Sequence, residues 1–384
     1  MNYIDIFIDR YGWMGVALAA LVLITFVWQI CFWLRNFGRI PSYRTSRRKP
    51  KLDTEPPVSV VVPLFSENIN YVERSLPLLL AQNHPQFQVV VVYVGSDTDF
   101  YADLMARQSR YPNLSITKIE YNPRFPISVK MALNVGIKSA RYEHVVLTTS
   151  DAVPASEHWL SMMAKGFTKA DIVLGYCGIE PGKGFARWAM RMSRMMDSAL
   201  WTAAAIRRRP YRGIRHNMGI TKRLYFGSNG FNYLSMNVGE DDLYLQSIIR
   251  RDNVCVMISP RALVTEHPWG GLGWWTDQLR HYGATQAFYP ARVRRYICSE
   301  PLSRVAFFAS CIATIVLMPA EMKYAAAGAI VLRFAVVATV MRRMAARMGE
   351  RRVMGRFVIY DLLSPLYSMA VRIARLRKDP TVWR

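Results

Sequence analysis

The fold is decided by the stretch Val58-Ser-Val-Val-Val-Pro63, a β-branched run that ends at a proline. Further apolar runs follow, and helical patterns separate them. The runs lie at residues 87–94, 114–119, 144–149 and 171–175, and the helical patterns at 68–82, 127–140 and 156–166. Continuous apolar strands that alternate with helices are typical of a parallel sheet covered on both faces. The sequence therefore predicts an α/β fold with a doubly wound, mostly parallel sheet.

Ligands of such a sheet bind at the carboxyl ends of its strands, which here are residues 63–67, 95–97 and 149–151. Asp151 follows the fourth strand, and its carboxylate suits Mg²⁺ or Mn²⁺, ions that can neutralise a diphosphate. The ordinary alternative for a single aspartate here is an N-cap for the next helix, expected near Ala155.

A second acidic feature is the cluster Gly239-Glu-Asp-Asp-Leu243, which opens a helical pattern over residues 243–249. Three adjacent carboxylates create a local field that can raise the pKa of one of them, and such a group can act as a general base. The alternative is that acids stabilise the first turn of a helix through its dipole. One or two of Glu240, Asp241 and Asp242 are expected to do only that.

Aromatic and polar side chains combine in Trp274-Trp-Thr-Asp-Gln-Leu-Arg-His-Tyr282. This combination can bind a sugar by stacking and hydrogen bonding, but Trp and Tyr also gather at membrane interfaces. Residues 185–209 mix methionines, tryptophans and arginines. They predict an amphipathic helix on a bilayer, a surface for a lipid-diphosphate acceptor, or a Met-rich core helix with a basic face.

Three apolar stretches predict transmembrane helices. Residues 13–34 carry no formal charge, and residues 305–320 and 324–340 form a hairpin whose second helix contains Arg333, a costly charge unless it meets a partner. Arginines and lysines follow the first stretch, so the positive-inside rule places residue 35 onward in the cytoplasm. A fourth stretch, 357–370, is basic on both flanks and favours an interfacial or re-entrant helix.

Composition restricts the partners further. The 384 residues carry a formal net charge of +23, which predicts anionic partners. The basic residues concentrate beside the apolar stretches, so anionic phospholipid accounts for them and no nucleic-acid partner is expected. Five scattered cysteines support neither a disulfide framework nor a zinc site, and they favour a reducing compartment.

Together these motifs resemble the membrane-bound family 2 glycosyltransferases, inverting enzymes with a GT-A fold, over about residues 56–290. Residues 60–67, Val-Val-Val-Pro-Leu-Phe-Ser-Glu, are similar to the family's first strand and the turn after it, with Ser66 in place of asparagine. Residues 130–134 are similar to the segment before the metal motif, and Thr149-Ser-Asp151 stands in the place of Asp-x-Asp. Gly213, Asn217 and Gly230-Phe231 resemble the loop beside the donor sugar.

The resemblance assigns roles to residues. It implies that Asp151 coordinates Mg²⁺ or Mn²⁺ together with the diphosphate, and that Asp241 is the catalytic base, tuned by Glu240 or Asp242. The nucleotide-sugar would contact Pro63, Phe65, Glu67, Ser96, Asp97, Lys130 and Asp151. The acceptor would contact Asn217, Gln278, Arg280, His281 and Tyr282.

Three departures from the family pattern change what we expect. The second strand ends in Tyr93-Val-Gly-Ser96, where the family has Asp-Asp-Gly-Ser, so Asp97 would have to hold the nucleobase. Thr149 replaces the first aspartate of the metal motif. His281 and Tyr282 replace Arg and Trp of the Gln-x-x-Arg-Trp motif that processive members carry.

The resemblance implies an enzyme of the bacterial inner membrane, with its GT-A domain in the cytoplasm. It would transfer a sugar from a nucleotide diphosphate-sugar to a lipid-linked or saccharide acceptor in cell-envelope or exopolysaccharide synthesis, with other envelope-polysaccharide proteins as possible partners. The alternatives are a catalytically degenerate nucleotide-sugar-binding scaffold and a processive polysaccharide synthase. The expected segments are a transmembrane helix (1–35), a basic linker (36–55), the GT-A domain (56–301), a transmembrane hairpin (302–343) and a basic interfacial or re-entrant segment (344–384).

Overall fold

The structure is a computed structural model. It describes residues 3–47, 51–120, 124, 127–233 and 239–376, without the side chains of residues 3–7, 47, 232, 233, 281 and 371–376. These residues form two compact units. The helical unit comprises the described residues of 1–42, 289–346 and 351–378, and the sheet unit comprises those of 43–288 together with 347–350. The expected linker at 36–55 and the expected segment at 344–384 lie partly outside the described residues.

The described elements alternate in the way the sequence predicts. In chain order the helices are α1 (Tyr3–Arg35), α2 (Leu76–Leu80), α3 (Thr98–Arg110), α4 (Val129–Ser139), α5 (Trp159–Phe167), α6 (Phe185–Ile206), α7 (Lys222–Gly227), α8 (Leu243–Ile248), α9 (Leu272–Thr285), α10 (Ala291–Leu317), α11 (Ala320–Arg347) and α12 (Phe357–Leu376). The strands are β1 (Val58–Phe65), β2 (Phe87–Val94), β3 (Leu114–Ile119), β4 (His144–Leu147), β5 (Ala152–Pro154), β6 (Ile172–Gly175), β7 (Cys177–Ile179), β8 (Met218–Thr221), β9 (Val254–Met257) and β10 (Val264–Glu266).

Seven strands form the main sheet, in the order β3-β2-β1-β4-β8-β6-β9. All neighbours are parallel except β8, which runs antiparallel to both β4 and β6. The mostly parallel sheet expected from the sequence is confirmed. β1 extends through Pro63 to Phe65, beyond the β-branched run, because it pairs with β2 along its whole length.

Three further strands form a smaller sheet, in the order β5-β10-β7. β10 pairs antiparallel with β5 and parallel with β7, which places Glu266 opposite both Ala152 and Ile179. Neither β8 nor this sheet is predicted from the sequence. The strands of the smaller sheet have three residues each, too few for a clear alternation of apolar and polar positions.

The core of the sheet unit is built from β1 and β2, which are buried along nearly all of their length. Helix α4 packs closely against them at Gly136, where a Cβ atom would lie 2.4 Å from Cγ1 of Val61. A larger residue at this position would push the helix away from the sheet. The first turn of α4, which begins at Val129, is thereby held at the carboxyl edge of β1.

The helical unit contains three helices that are long and apolar enough to cross a membrane, Ile8–Arg39, Ala291–Leu317 and Ala320–Arg347. The three stretches expected to span the membrane lie on them. The fourth stretch forms α12, which exposes Leu362, Leu363 and Leu366. Its interfacial or re-entrant placement stays a prediction.

Arg333 has the partner that its position in an apolar helix requires. Its Nη1 lies 2.5 Å from Oδ2 of Asp361, and its Nε donates to Oε1 of Gln29 at 3.1 Å. Arg304 joins the same group, with nitrogens 3.1 Å from Oδ1 of Asp361 and 3.0 Å from Oε2 of Glu300. Two guanidinium groups and two carboxylates thus neutralise one another inside the helical unit. Together with the Gln29 amide they form a group that we call the buried ionic network: Gln29, Glu300, Arg304, Arg333 and Asp361.

Candidate active site

Asp151 lies in the loop after β4, at the carboxyl edge of the main sheet. Thr149 Oγ1 donates a hydrogen bond to its Oδ1 over 2.5 Å, and Trp269 Nε1 donates to its Oδ2 over 3.2 Å. The chain runs from Asp151 into β5, and the next helix begins only at Trp159. Asp151 is therefore not a helix N-cap, and the hydroxyl of Thr149 orients its carboxylate.

Two residues that the sequence did not single out lie beside Asp151. His216 is in a short 3-10 turn that is fixed by a hydrogen bond from Thr148 Oγ1 to the His216 carbonyl oxygen, at 3.0 Å. Glu266 ends β10, opposite Ala152. One ligand atom from each of Asp151, His216 and Glu266 lies within 4.8 Å of the others. We call these three residues the donor cluster.

Arg194 and His216 hold Glu266 in its ionised form. Arg194 Nη2 lies 2.6 Å from Oε2 of Glu266, and His216 Nε2 lies 3.4 Å from Oε1. Burial alone would raise the pKa of Glu266, but the Arg194 guanidinium and the His216 ring outweigh it and lower that pKa to about 2. The donor cluster therefore offers carboxylate oxygens and an imidazole nitrogen to a divalent cation, and Asp151 is its most exposed member.

The acidic triplet divides into three different environments. Asp242 is the N-cap of α8, because its Oδ1 accepts from Leu243 N at 2.6 Å, and its Oδ2 accepts from the hydroxyl of Thr285. Glu240 pairs with Arg215, whose Nη1 lies 2.5 Å from Oε1. The helix-dipole alternative thus describes Asp242, while Glu240 brings a guanidinium to the site.

Asp241 is the carboxylate of the triplet that suits a role in proton transfer. It is 4% exposed, and its Oδ2 has no hydrogen-bond partner among the described residues. Burial raises its pKa to about 6, with the charges of Glu240 and Asp242 adding to the shift and the guanidinium groups of Arg212 and Arg215 opposing it. A carboxylate with this pKa is a competent proton acceptor near neutral pH.

The residues expected at the nucleotide occupy the ends of β1 and β2. Pro63 is buried within β1, and Phe65 is half-buried at its end. Glu67 Oε1 accepts a hydrogen bond from the Tyr93 hydroxyl at 2.9 Å. Ser96 is exposed.

Asp97 and Lys130 begin helices at the same edge. Asp97 caps α3, since its Oδ1 accepts from Phe100 N at 2.7 Å. Lys130 lies in the first turn of α4, half-buried. Burial lowers the pKa of Lys130, and the charge of Glu240 opposes that shift. The electrostatic influence of Glu240 therefore reaches α4.

The residues expected at the acceptor lie in two places. Asn217 is fully buried, and its amide joins three segments: Nδ2 donates to the carbonyl oxygens of Tyr176 and Ala262 at 2.9 Å each, while Oδ1 accepts from Trp159 Nε1 at 3.0 Å. These bonds occupy the amide and give Asn217 a structural position. Contact of Asn217 with the acceptor stays a prediction.

Helix α9 carries the other expected acceptor residues. Gln278 is half-buried, and Arg280 Nη1 pairs with Oδ1 of Asp277 at 2.9 Å. Tyr282 is buried beneath the guanidinium of Arg212, whose Cζ lies 4.1 Å from the ring centroid. The side chain of His281 lies outside the described residues.

Residues 56–203 match the model of the family described as "Glycosyltransferase like family 2". No curated protein matches the chain. Among solved structures, the chain is similar to the mannosyltransferase PcManGT from Pyrobaculum calidifontis in complex with GDP-Man and Mn²⁺, with a TM-score of 0.53 and 17% identity over 90% of this chain and 98% of that one. It is also similar to S. aureus TarS in complex with UDP-GlcNAc, with a TM-score of 0.41 and 15% identity over 78% of this chain and 91% of that one.

Proposed function

We propose that the protein transfers a sugar from a nucleotide diphosphate-sugar to a lipid-linked or saccharide acceptor with inversion, a proposal supported by the match of residues 56–203 to the family "Glycosyltransferase like family 2". The observation that carries this proposal is Asp241, a buried carboxylate with an unpartnered oxygen and a pKa of about 6. In a single displacement this residue accepts the proton of the acceptor hydroxyl while the nucleotide diphosphate leaves.

The donor is proposed to lie across the carboxyl edge of the main sheet. Phe65, Glu67, Ser96 and Asp97 surround the ends of β1 and β2, which suits a nucleoside, and Lys130 is close enough to Glu240 to sense its charge. The similar solved structure of PcManGT holds GDP-Man and Mn²⁺, which supports a nucleotide-sugar donor without selecting its base.

A divalent cation is proposed to accompany the donor. The donor cluster of Asp151, His216 and Glu266 fits such an ion, because its carboxylate and imidazole atoms lie within 4.8 Å of one another. When bound, Mg²⁺ or Mn²⁺ would neutralise the departing diphosphate. The protein's own contribution is to fix Asp151, through the Thr149 hydroxyl and the Trp269 indole, where that ion would sit.

We further propose that the enzyme is an integral protein of the bacterial inner membrane, with its sheet unit in the cytoplasm and a role in cell-envelope or exopolysaccharide synthesis. Three helices long and apolar enough to span a bilayer support membrane attachment, and the basic residues after the first of them support the orientation. A lipid-linked acceptor would suit such a location, since its sugar acceptor is presented at the membrane surface.

The test is to incubate detergent-purified protein with a panel of nucleotide sugars, with and without Mn²⁺ or Mg²⁺, and to measure nucleotide diphosphate release. We expect metal-dependent release with one donor, and a loss of about 100-fold or more in Asp241→Asn, because a general base contributes that much. Asp103→Asn, an exposed aspartate on α3, is the matched control and should keep full activity.

Turnover that persists in folded Asp241→Asn would disprove the assigned base. Donor binding without release or transfer, with acceptor lipids supplied, would favour the scaffold alternative. Extension of one product into a polymer by the purified protein would favour a processive synthase.

A further inference from the structure

Backbone pairing brings the donor cluster together from three distant parts of the sequence. The antiparallel ladder between β5 and β10 sets Glu266 opposite Ala152, the residue after Asp151. The hydrogen bond from Thr148 to the carbonyl oxygen of His216 attaches the third ligand to the end of β4. Because these contacts involve regular backbone and short side chains, they hold the cluster in place without depending on its charges.

The distances suit one ion. Two ligands of the same cation, each about 2.1 Å away, are at most about 4.2 Å apart. The ligand atoms of Asp151, His216 and Glu266 lie within 4.8 Å of one another, so each atom would need to move by only a few tenths of an ångström to complete the coordination. Two of the three residues, His216 and Glu266, are buried, and Asp151 is half-buried where a diphosphate could complete the shell.

The surroundings orient the cluster for this purpose. Arg194 occupies Oε2 of Glu266, which leaves Oε1 on the side of His216. Nδ1 of His216 is buried with no hydrogen-bond partner among the described residues, so the ring's polar contact is made by Nε2, the nitrogen that faces Glu266. Two carboxylates face the Arg194 guanidinium, and the charge of Arg215, which also acts on Glu266, is offset by its pair with Glu240, so the balance favours a cation.

The same arrangement explains how the site can do without the first aspartate of the metal motif. Thr149 supplies a hydroxyl that orients Asp151 in place of a second carboxylate from the same loop. The second carboxylate comes instead from Glu266, on a strand of the smaller sheet. A substitution in the motif is thus matched by a residue more than a hundred positions later.

We infer that Asp151, His216 and Glu266 together coordinate the divalent cation, and that this oxygen and nitrogen donor set selects Mn²⁺ over Mg²⁺. Mg²⁺ prefers oxygen ligands in a strict octahedron, whereas an imidazole nitrogen suits transition ions. The inference rests on the proposed function for the presence of a metal, and it adds two ligands and a selectivity.

The first experiment uses the full-length protein in detergent with Mn²⁺ alone and records electron spin-echo modulation. We expect coupling to a directly bound imidazole ¹⁴N in the unmodified protein, its disappearance in His216→Asn, and its persistence in His158→Asn, a partly exposed histidine at the start of α5 whose ring faces Glu157. Absence of nitrogen coupling in the unmodified protein overturns the inference even if His216→Asn fails to fold. Coupling that survives in folded His216→Asn also overturns it, because it would identify another histidine, such as His267.

The second experiment measures Mn²⁺ affinity by titration, with Mg²⁺ as competitor. We expect Mn²⁺ to bind at least about 10-fold more tightly than Mg²⁺, and Glu266→Gln to weaken Mn²⁺ binding at least about 10-fold while Glu157→Gln does not. Equal affinity for both ions, or unchanged binding in Glu266→Gln, contradicts the inference. Donor turnover without nitrogen coupling refutes this ligand set alone, whereas nitrogen coupling without turnover of any donor refutes the proposed function alone.

Discussion

At the scale of single residues, Asp241 determines the pH dependence that we expect of sugar transfer. Its pKa of about 6 means that the carboxylate is protonated, and unable to accept a proton, at lower pH. We predict that kcat/KM rises about tenfold per pH unit up to pH 6 and then levels off. The profile is measured with the preferred donor between pH 4.5 and 8, after checking that the protein stays folded throughout.

Glu240 provides the variant that moves this profile. In Glu240→Gln a like charge disappears and Arg215 is released from its pair, and both changes favour the ionised form of Asp241. We therefore predict that the pKa of Asp241 falls and the acid limb shifts by about one unit to lower pH.

Glu157→Gln, at an exposed site, is the control for this shift and should leave the limb in place. An acid limb that stays put or moves to higher pH in Glu240→Gln would mean that another group titrates.

The sequence led to some site residues and not to others for a physical reason. Asp151 and the acidic triplet could be predicted because strand ends and local charge are visible in neighbouring positions. His216 and Glu266 could not, since their roles depend on a loop contact and on a ladder between short strands. Their only local signals are the pairs Arg215-His216 and Glu266-His267, which are ordinary without the fold.

At the scale of elements, residues 347–350 are a part of the sheet unit that follows a membrane-length helix. Glu350 accepts hydrogen bonds from the Tyr176 hydroxyl and from Arg191 Nη2, both at 2.7 Å. Removing one partner of a buried ion pair leaves a charge uncompensated. We predict that Glu350→Ala lowers the free energy of unfolding of the sheet unit by about 3 kcal/mol.

Thermal unfolding and limited proteolysis of the purified protein measure that loss. Glu350→Gln keeps hydrogen-bonding atoms and should cost less, and Glu157→Ala should cost little. If Glu350→Ala melts like the unmodified protein, the segment does not stabilise the unit.

The buried ionic network makes a second prediction for an element, α12. Asp361 contacts both Arg333 and Arg304, so Asp361→Asn leaves two buried guanidinium groups with less counter-charge. We expect a markedly lower melting temperature in detergent. Replacing both partners, Arg333→Leu with Asp361→Leu, should recover part of the loss, because apolar residues in place of a buried pair remove the uncompensated charge.

Recovery is judged against Asp361→Leu alone, which should be as unstable as Asp361→Asn. If the double variant is less stable than either single variant, the network contributes more than mutual neutralisation.

Elements were predictable where the sequence pattern was long. β2 and β3 have the bounds expected from their apolar runs, since each is a continuous buried or half-buried strand. β8 was missed because Met218-Gly-Ile-Thr is short and contains a glycine, and its antiparallel place between β4 and β6 comes from tertiary pairing. Long, regular segments carry their own structural signal, and short inserted strands do not.

At the scale of the whole molecule, a surface contact restricts the membrane topology. Arg10 Nη2 lies 2.6 Å from Oε1 of Glu321, so the amino-terminal part of α1 and the turn between α10 and α11 share one end of the helical unit. We predict that both face away from the cytoplasm. In intact cells, a cysteine introduced by Lys323→Cys should react with a membrane-impermeant maleimide, with the modified site identified by mass spectrometry.

Lys138→Cys, in the sheet unit, should react only after the membrane is permeabilised. Labelling of position 138 in intact cells, or protection of position 323, would reverse the orientation.

The buried ionic network also has a consequence for biogenesis. Arg333 leaves the ribosome before Asp361, so α11 is complete while its counter-charge is not yet made. Until Asp361 arrives, Gln29 of the first helix is the polar partner of Arg333 that already exists. We therefore expect the insertion of α11 to depend on Gln29 of α1, and to be stabilised further once α12 brings Asp361. A chain that ends before α12 would keep Arg333 in the membrane without its carboxylate partner. We expect such a truncated protein to be a substrate for membrane quality control.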